Sequence, residues 1–135
     1  MEKTILLLVI KESLYPPVVQ YSNVTKDKSL IIKENLGKAG VYRWINNSNG
    51  NSYVGSSIDL GVRLRGYLNI NFLSRGIRLS KSMINRALLK NKYQDFRLEI
   101  LEYCDPSLTR LRLVFLFLGG EAASYFLFFF KKIKN

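Results

Sequence analysis

The chain has 135 residues, enough for one domain with its own core, and carries 21 Lys and Arg against 10 Asp and Glu, a formal net charge of +11. An excess of that size in a short chain points to a polyanionic partner, nucleic acid or an anionic membrane surface. Histidine is absent and Cys104 is the one cysteine, which excludes Ser-His-Asp and Cys-His catalysis, histidine or multi-cysteine zinc sites, and an internal disulfide.

Residues 1–37 read as an N-terminal extension or linker. The apolar run Thr4 to Ile10 is too short to span a bilayer and reads as a buried strand or as an artefact of upstream coding. Pro16-Pro17 breaks the chain, and Val18 to Tyr21 and Leu30 to Ile32 are strand-like fragments in a polar linker. Lys38-Ala39-Gly40 marks the start of a domain.

Two apolar-aromatic runs follow, Gly40 to Ile45 and Ser52 to Gly55, with Asn49-Gly50 between them. Asn and Gly tolerate the positive φ of a tight turn, so the spacing predicts a β-hairpin. Ser56, Ser57 and Asp59 offer oxygens to the free amides of a helix starting near Leu60. On that helix Leu60, Leu64 and Leu68 form an apolar stripe, and Arg63 and Tyr67, four residues apart, share a neighbouring face.

Asn69 to Gly76 has no clear period and reads as a loop. Ser80 is a candidate N-cap for a helix through Lys90, with Met83, Ile84, Ala87 and Leu88 inward and Lys81, Asn85, Arg86 and Lys90 outward. Phe96, Leu98 and Ile100 alternate with Arg97, Glu99 and Leu101 as a third strand ending at Asp105-Pro106. The predicted architecture is α/β, a small three-stranded antiparallel sheet flanked by helices. Between Arg63 and Leu98 stand nine basic residues against one acid, Asp95, which places most of the charge beside the hairpin.

In order, Gly40-Val41-Tyr42, Tyr53-Val54-Gly55, Ser56, Ser57, Asp59, Leu60 and Arg63 resemble the GIY-YIG nucleases, whose name describes the two strand motifs. Ser80 to Ser107 is similar to the second half of the domain in the subgroup carried by introns of fungal mitochondrial genomes. The resemblance implies a mitochondrial homing endonuclease, a GIY-YIG-like domain over 38–107, and magnesium-dependent DNA cleavage leaving 5′-phosphate and 3′-hydroxyl. It assigns Arg63 to charge on the scissile phosphate, Tyr42 to orienting or deprotonating water with a nearby cation such as Arg63 or a bound metal favouring its phenolate, Tyr53 and Tyr67 to the same site, and Gly40 and Gly55 to close approach. Arg78, Lys81, Arg86, Lys90 and Lys92 are the expected phosphate contacts. No small-molecule cofactor is implied.

The departure lies downstream. Where the family places a metal-binding glutamate, in the helix after the third strand, this chain has Leu108-Thr109-Arg110-Leu111-Arg112-Leu113, and no acid occurs between Asp105 and Glu121. Residues 108–135 therefore read as a divergent hydrophobic tail after a shift of coding frame, with Glu121 the remaining candidate ligand. Two other readings stand beside the nuclease: an inactive remnant that still binds nucleic acid, and a membrane-associated protein. Leu113 to Phe130 has the length of a membrane span, against which Gly119, Gly120 and Glu121 stand at its middle.

Overall fold

The computed structural model describes residues 16–80 and 83–118. In chain order these give β1 (Val19–Tyr21), α1 (Lys28–Asn35), β2 (Gly40–Asn46), β3 (Ser52–Ser57), α2 (Leu60–Tyr67), α3 (Ile70–Ser80), α4 (Met83–Asn91), β4 (Phe96–Tyr103) and α5 (Thr109–Leu118). The strands form an antiparallel sheet in the order β1-β4-β2-β3, so four strands replace the three expected. The added strand comes from the segment expected as extension or linker: Val19 pairs with Ile100 and Tyr21 with Leu98.

The hairpin forms where the sequence predicts it. Gly50 has φ +75°, its amide donates to Asn46 O at 2.8 Å, and Asn46 N donates to Asn51 O at 2.8 Å. Across the sheet the two-residue period sorts side chains by face. Tyr42, Trp44, Leu98 and Ile100 lie beneath α1 to α4 with Ile31, Leu60, Leu64, Leu73 and Leu88, while Val41 and Leu101 pack with Leu113 of α5 on the other face. Leu60 and Leu64 are both fully buried, each worth about 1.5 to 3 kcal/mol of burial.

Local readings change at α1, α3 and α4. Leu30 to Ile32 belong to α1 instead of a strand, because Ile31 and Asn35, one helical turn apart, both point into the core and are fully buried. Asn69 to Gly76 is mostly helix instead of loop: the Asn69 side chain accepts from Asn71 N at 2.9 Å and Phe72 N at 3.3 Å, starting α3, and Leu73 is fully buried. Gly76 sits inside α3 because a Cβ there would collide with the Asn85 amide of α4. Asn85, expected outward, is buried and donates to Leu73 O at 3.3 Å; Met83, expected inward, is 83 % exposed. Ser80 ends α3 and does not stand as the residue before α4.

The described part of the expected tail is docked. Thr109 is buried, Leu113 packs against Val41 and Leu101, and Arg112 holds Glu102 with two bonds of 2.6 and 2.7 Å. These contacts tie the start of α5 to the sheet. Among the described residues no helix is long and apolar enough to cross a membrane. The run 4–10, Lys81, Glu121 and most of the span considered from Leu113 to Phe130 lie outside the described residues.

Candidate active site

Tyr42 stands on the middle of β2, and its cross-strand partner on β3 is Gly55. Any Cβ at Gly55 would run into the Tyr42 ring and hydroxyl, so the glycine of the second motif makes room for the tyrosine of the first. Gly40 is needed for a different reason. The ladder between β2 and β4 shifts after Val41, which faces Glu102 while Tyr42 faces Ile100, and the bulge at Leu101 brings the Glu102 carbonyl into the space of a Gly40 Cβ.

The helix α2 supplies the other half. Asp59 caps it, accepting from Val62 N at 3.1 Å, while Ser57 Oγ accepts from Asp59 N at 3.1 Å. At its far end Tyr67 reaches back to Tyr42, hydroxyl to hydroxyl at 2.9 Å, with the rings edge-on at 5.8 Å. Trp44, two residues along β2 on the same face, packs its ring edge-on to Tyr67 at 5.8 Å. Tyr93 donates to the Tyr67 carbonyl at 2.6 Å and fixes the end of α2.

Burial sets the protonation. Tyr42 is 2 % exposed, and its phenol is pushed far above its ordinary value by desolvation, then by Tyr67; Arg63 acts in the opposite direction and is outweighed. Desolvation also raises Tyr67, which Tyr53 reinforces. Both phenols hold their protons at neutral pH. Arg63 alone therefore does not favour a Tyr42 phenolate in this arrangement, and the protonated Tyr42 hydroxyl can give and accept hydrogen bonds.

Arg63 and Tyr53 are exposed, Tyr53 at 39 %, and rim the buried Tyr42–Tyr67 pair. A phosphodiester approaching this face meets the guanidinium and Tyr53 before the other two. The structure thus brings Tyr42, Tyr53, Arg63 and Tyr67 together and divides them into a surface pair and a buried pair. Trp44 and Tyr93 were missed as supports because neither lies in a motif, and a single aromatic gives no signal of what it will touch.

The described basic residues Arg78, Arg86, Lys90 and Lys92 are all exposed, as are Arg65 and Arg75. The ion pairs among the described residues all use β4 glutamates, Glu99 with Arg43 and Arg97 and Glu102 with Arg112, so none engages these cations or Arg63. These exposed cations are spread over α2, α3, α4 and the connection that follows, and no salt bridge among the described residues engages them.

A divalent cation, which the resemblance implies, does not fit the described donors. No group of three or more acidic, Cys or His residues able to hold a metal occurs among the described residues. Glu102 is taken by Arg112 on the face opposite Tyr42, Glu99 by Arg43 at 2.6 Å, and Asp59 by the amides of Gly37 and Val62. Asp105 is held by Ser107, whose hydroxyl and amide lower its carboxyl from the ordinary range. The phenols of the cluster are the oxygens on offer there, and both buried ones are protonated.

No curated protein and no solved structure matches the chain. The profile of the GIY-YIG catalytic domain family matches residues 38–111, more than half of the 135 residues and the whole hairpin, tyrosine pair and Arg63 helix. With Gly55 opened for Tyr42 and Arg63 placed one turn from Tyr67, the chain belongs to the GIY-YIG catalytic domain family, a family of nucleases.

Proposed function

We propose that the chain is a DNA endonuclease that hydrolyses phosphodiesters to 5′-phosphate and 3′-hydroxyl ends, and that its turnover is slow, the described residues placing no free carboxylate ligand at the tyrosine cluster. The observation that carries the reading is the exposed Arg63 and Tyr53 at the rim of a protonated Tyr42–Tyr67 pair, with further exposed cations on α3 and α4. Water adds at phosphorus and releases a proton to solvent, the bond to the 3′ oxygen breaks and that oxygen takes up a proton from solvent, while negative charge gathers on the equatorial oxygens. Arg63 meets that charge, and Tyr53 or the buried pair supplies hydrogen bonds that orient the attacking water. Arg78, Arg86, Lys90 and Lys92 hold flanking phosphates.

An intron-encoded, homing role in the mitochondrion belongs to the same proposal and is supported by the likeness of residues 80–107 to the fungal intron subgroup. The test is nicking of supercoiled plasmid with magnesium, with a chelator as control. Arg63→Ala lowers the rate by about 10² to 10³, the usual cost of one charge contact in the transition state. A rate within a few-fold of the parent overturns the assignment. One observation favours an inactive nucleic-acid-binding remnant instead: every carboxylate near β4 named above is already engaged. Tight duplex binding with no magnesium-dependent nicking decides for the remnant.

A further inference from the structure

The family match begins at residue 38, yet the helix that carries Arg63 is held from upstream of it. One carboxylate oxygen, Asp59 Oδ1, accepts from Val62 N at 3.1 Å at the start of α2 and from Gly37 N at 3.0 Å at the end of α1. Leu60 N donates to Lys38 O at 2.8 Å, and Arg63 N to Asp59 O at 3.1 Å. At Gly61 the two helices approach so closely that a Cβ would collide with the backbone of Leu36.

The upstream helix is itself anchored to the sheet. Asn35, fully buried, donates to Tyr21 OH on β1 at 3.1 Å and accepts from Tyr103 OH on β4 at 2.7 Å. The Tyr21 hydroxyl in turn donates to Glu34 at 2.5 Å. A run of bonds therefore leads from β4 through Tyr103 and Asn35 to the turn after α1, and from that turn through Asp59 to the first turn of α2. Its far end is fixed separately by Tyr93 and Tyr42. The helix of eight residues is held at both ends, and Arg63 lies between the two fixings.

We propose that Asp59 and the turn 36–38 form a clamp by which the segment upstream of the family domain positions Arg63, with Asp59 the positioning residue. The inference rests on the catalytic reading of Arg63 given above. The Gly37 and Val62 amides both go to one oxygen, with the Gly61 amide also drawn to the carboxylate, so asparagine, which keeps an oxygen acceptor for the first two, preserves the clamp and alanine removes it. Misplacement of a charge contact by about 1 Å is enough to cost up to about 100-fold in rate.

The experiment compares the parent, Asp59→Ala, Asp59→Asn and Gly61→Ala, each also in an Arg63→Ala background. It reads single-turnover nicking of supercoiled plasmid with magnesium, duplex affinity on the same preparations, and amide hydrogen exchange. The expected result is a fall in rate of about 10- to 100-fold for Asp59→Ala and Gly61→Ala at unchanged affinity. Asp59→Asn restores most of it, and Asp59→Ala costs nothing further once Arg63 is alanine, because the two act through one contact. Exchange at Gly37, Leu60 and Val62 rises in Asp59→Ala while the β4 amides stay protected. Losses that add in the double variant, or unchanged exchange at Gly37 and Val62, overturn the clamp. A parent rate at background, or a silent Arg63→Ala, sinks the nuclease reading and with it the positioning of a catalytic group.

Discussion

Tyr42 and Tyr67 are each other's hydrogen-bond partner, and at residue scale that reciprocity is testable. Removing the Tyr67 hydroxyl leaves that of Tyr42 buried without this bond, which costs about 1 to 3 kcal/mol. Removing the Tyr42 hydroxyl leaves Tyr67 with Tyr53 alone and costs less, and removing both leaves two apolar rings packed together. Tyr42→Phe and Tyr67→Phe should each lower the free energy of unfolding in urea, and the double variant should lose less than their sum. Full additivity would mean that the 2.9 Å bond contributes nothing. The raised pKa values give a second readout, and its sign follows from proton binding. Above about pH 10 an unfolded tyrosine releases its proton while the native one keeps it, so the folded state binds more protons. Stability from this pair is complete below the ordinary tyrosine value and is lost as pH rises past it, by about 1.4 kcal/mol per pH unit for each such group. Tyr42→Phe should flatten the alkaline limb, and an unchanged slope would show that Tyr42 already ionises in the native protein.

At the scale of elements, the connection from α4 to β4 is strained. Lys92 has φ +61° and ψ +155°, a backbone conformation that side chains disfavour, just before the one-turn helix Tyr93–Asp95 that presents Tyr93 to Tyr67. Lys92→Gly should relieve roughly 1 to 3 kcal/mol of strain, less the roughly 0.5 to 1 kcal/mol that a glycine loses in chain entropy. Melting temperature should rise while duplex affinity falls with the removed charge. A drop in both would show that Lys92 is held by packing and not against it.

The elements also show what a sequence can display. The hairpin was legible because Asn49-Gly50 and its flanks are local, and α2 because Asp59, Leu60, Leu64 and Leu68 agree on cap and stripe. The helix α3 was not, because Gly76 suggests a break until the approach of Asn85 explains it. Nor was α1, whose Leu30-Ile31-Ile32 run is β-rich in type and helical only because Asn35 must meet Tyr21 and Tyr103, residues 14 and 68 positions away. At the site, the motif residues announced themselves, while Trp44 and Tyr93 and the engaged state of Glu102 depend on partners distant in sequence.

Over the whole molecule the charge is sorted. The glutamates of β4 each hold an arginine, on the face away from Tyr42, and no salt bridge among the described residues engages the cations of α2 to α4. Surface lysines and arginines that merely solvate the protein would be expected to mix with acids, as a neutral balance lowers self-repulsion. A phosphate-binding face has no use for neighbouring acids, which would repel the ligand. If this face neutralises about four to six phosphates, counterion release sets the slope of log affinity against log salt at roughly −4 to −5 for duplex DNA. Arg78→Gln, Arg86→Gln and Lys90→Gln together should flatten that slope by about 0.9 for each phosphate no longer neutralised, with the same change on duplexes of unrelated sequence, because phosphates carry no sequence information. Fluorescence anisotropy over a salt series measures it. An unchanged slope would leave these residues as solvated surface and move the DNA path elsewhere, while a weakening confined to one sequence would make them readers of bases instead of holders of the backbone.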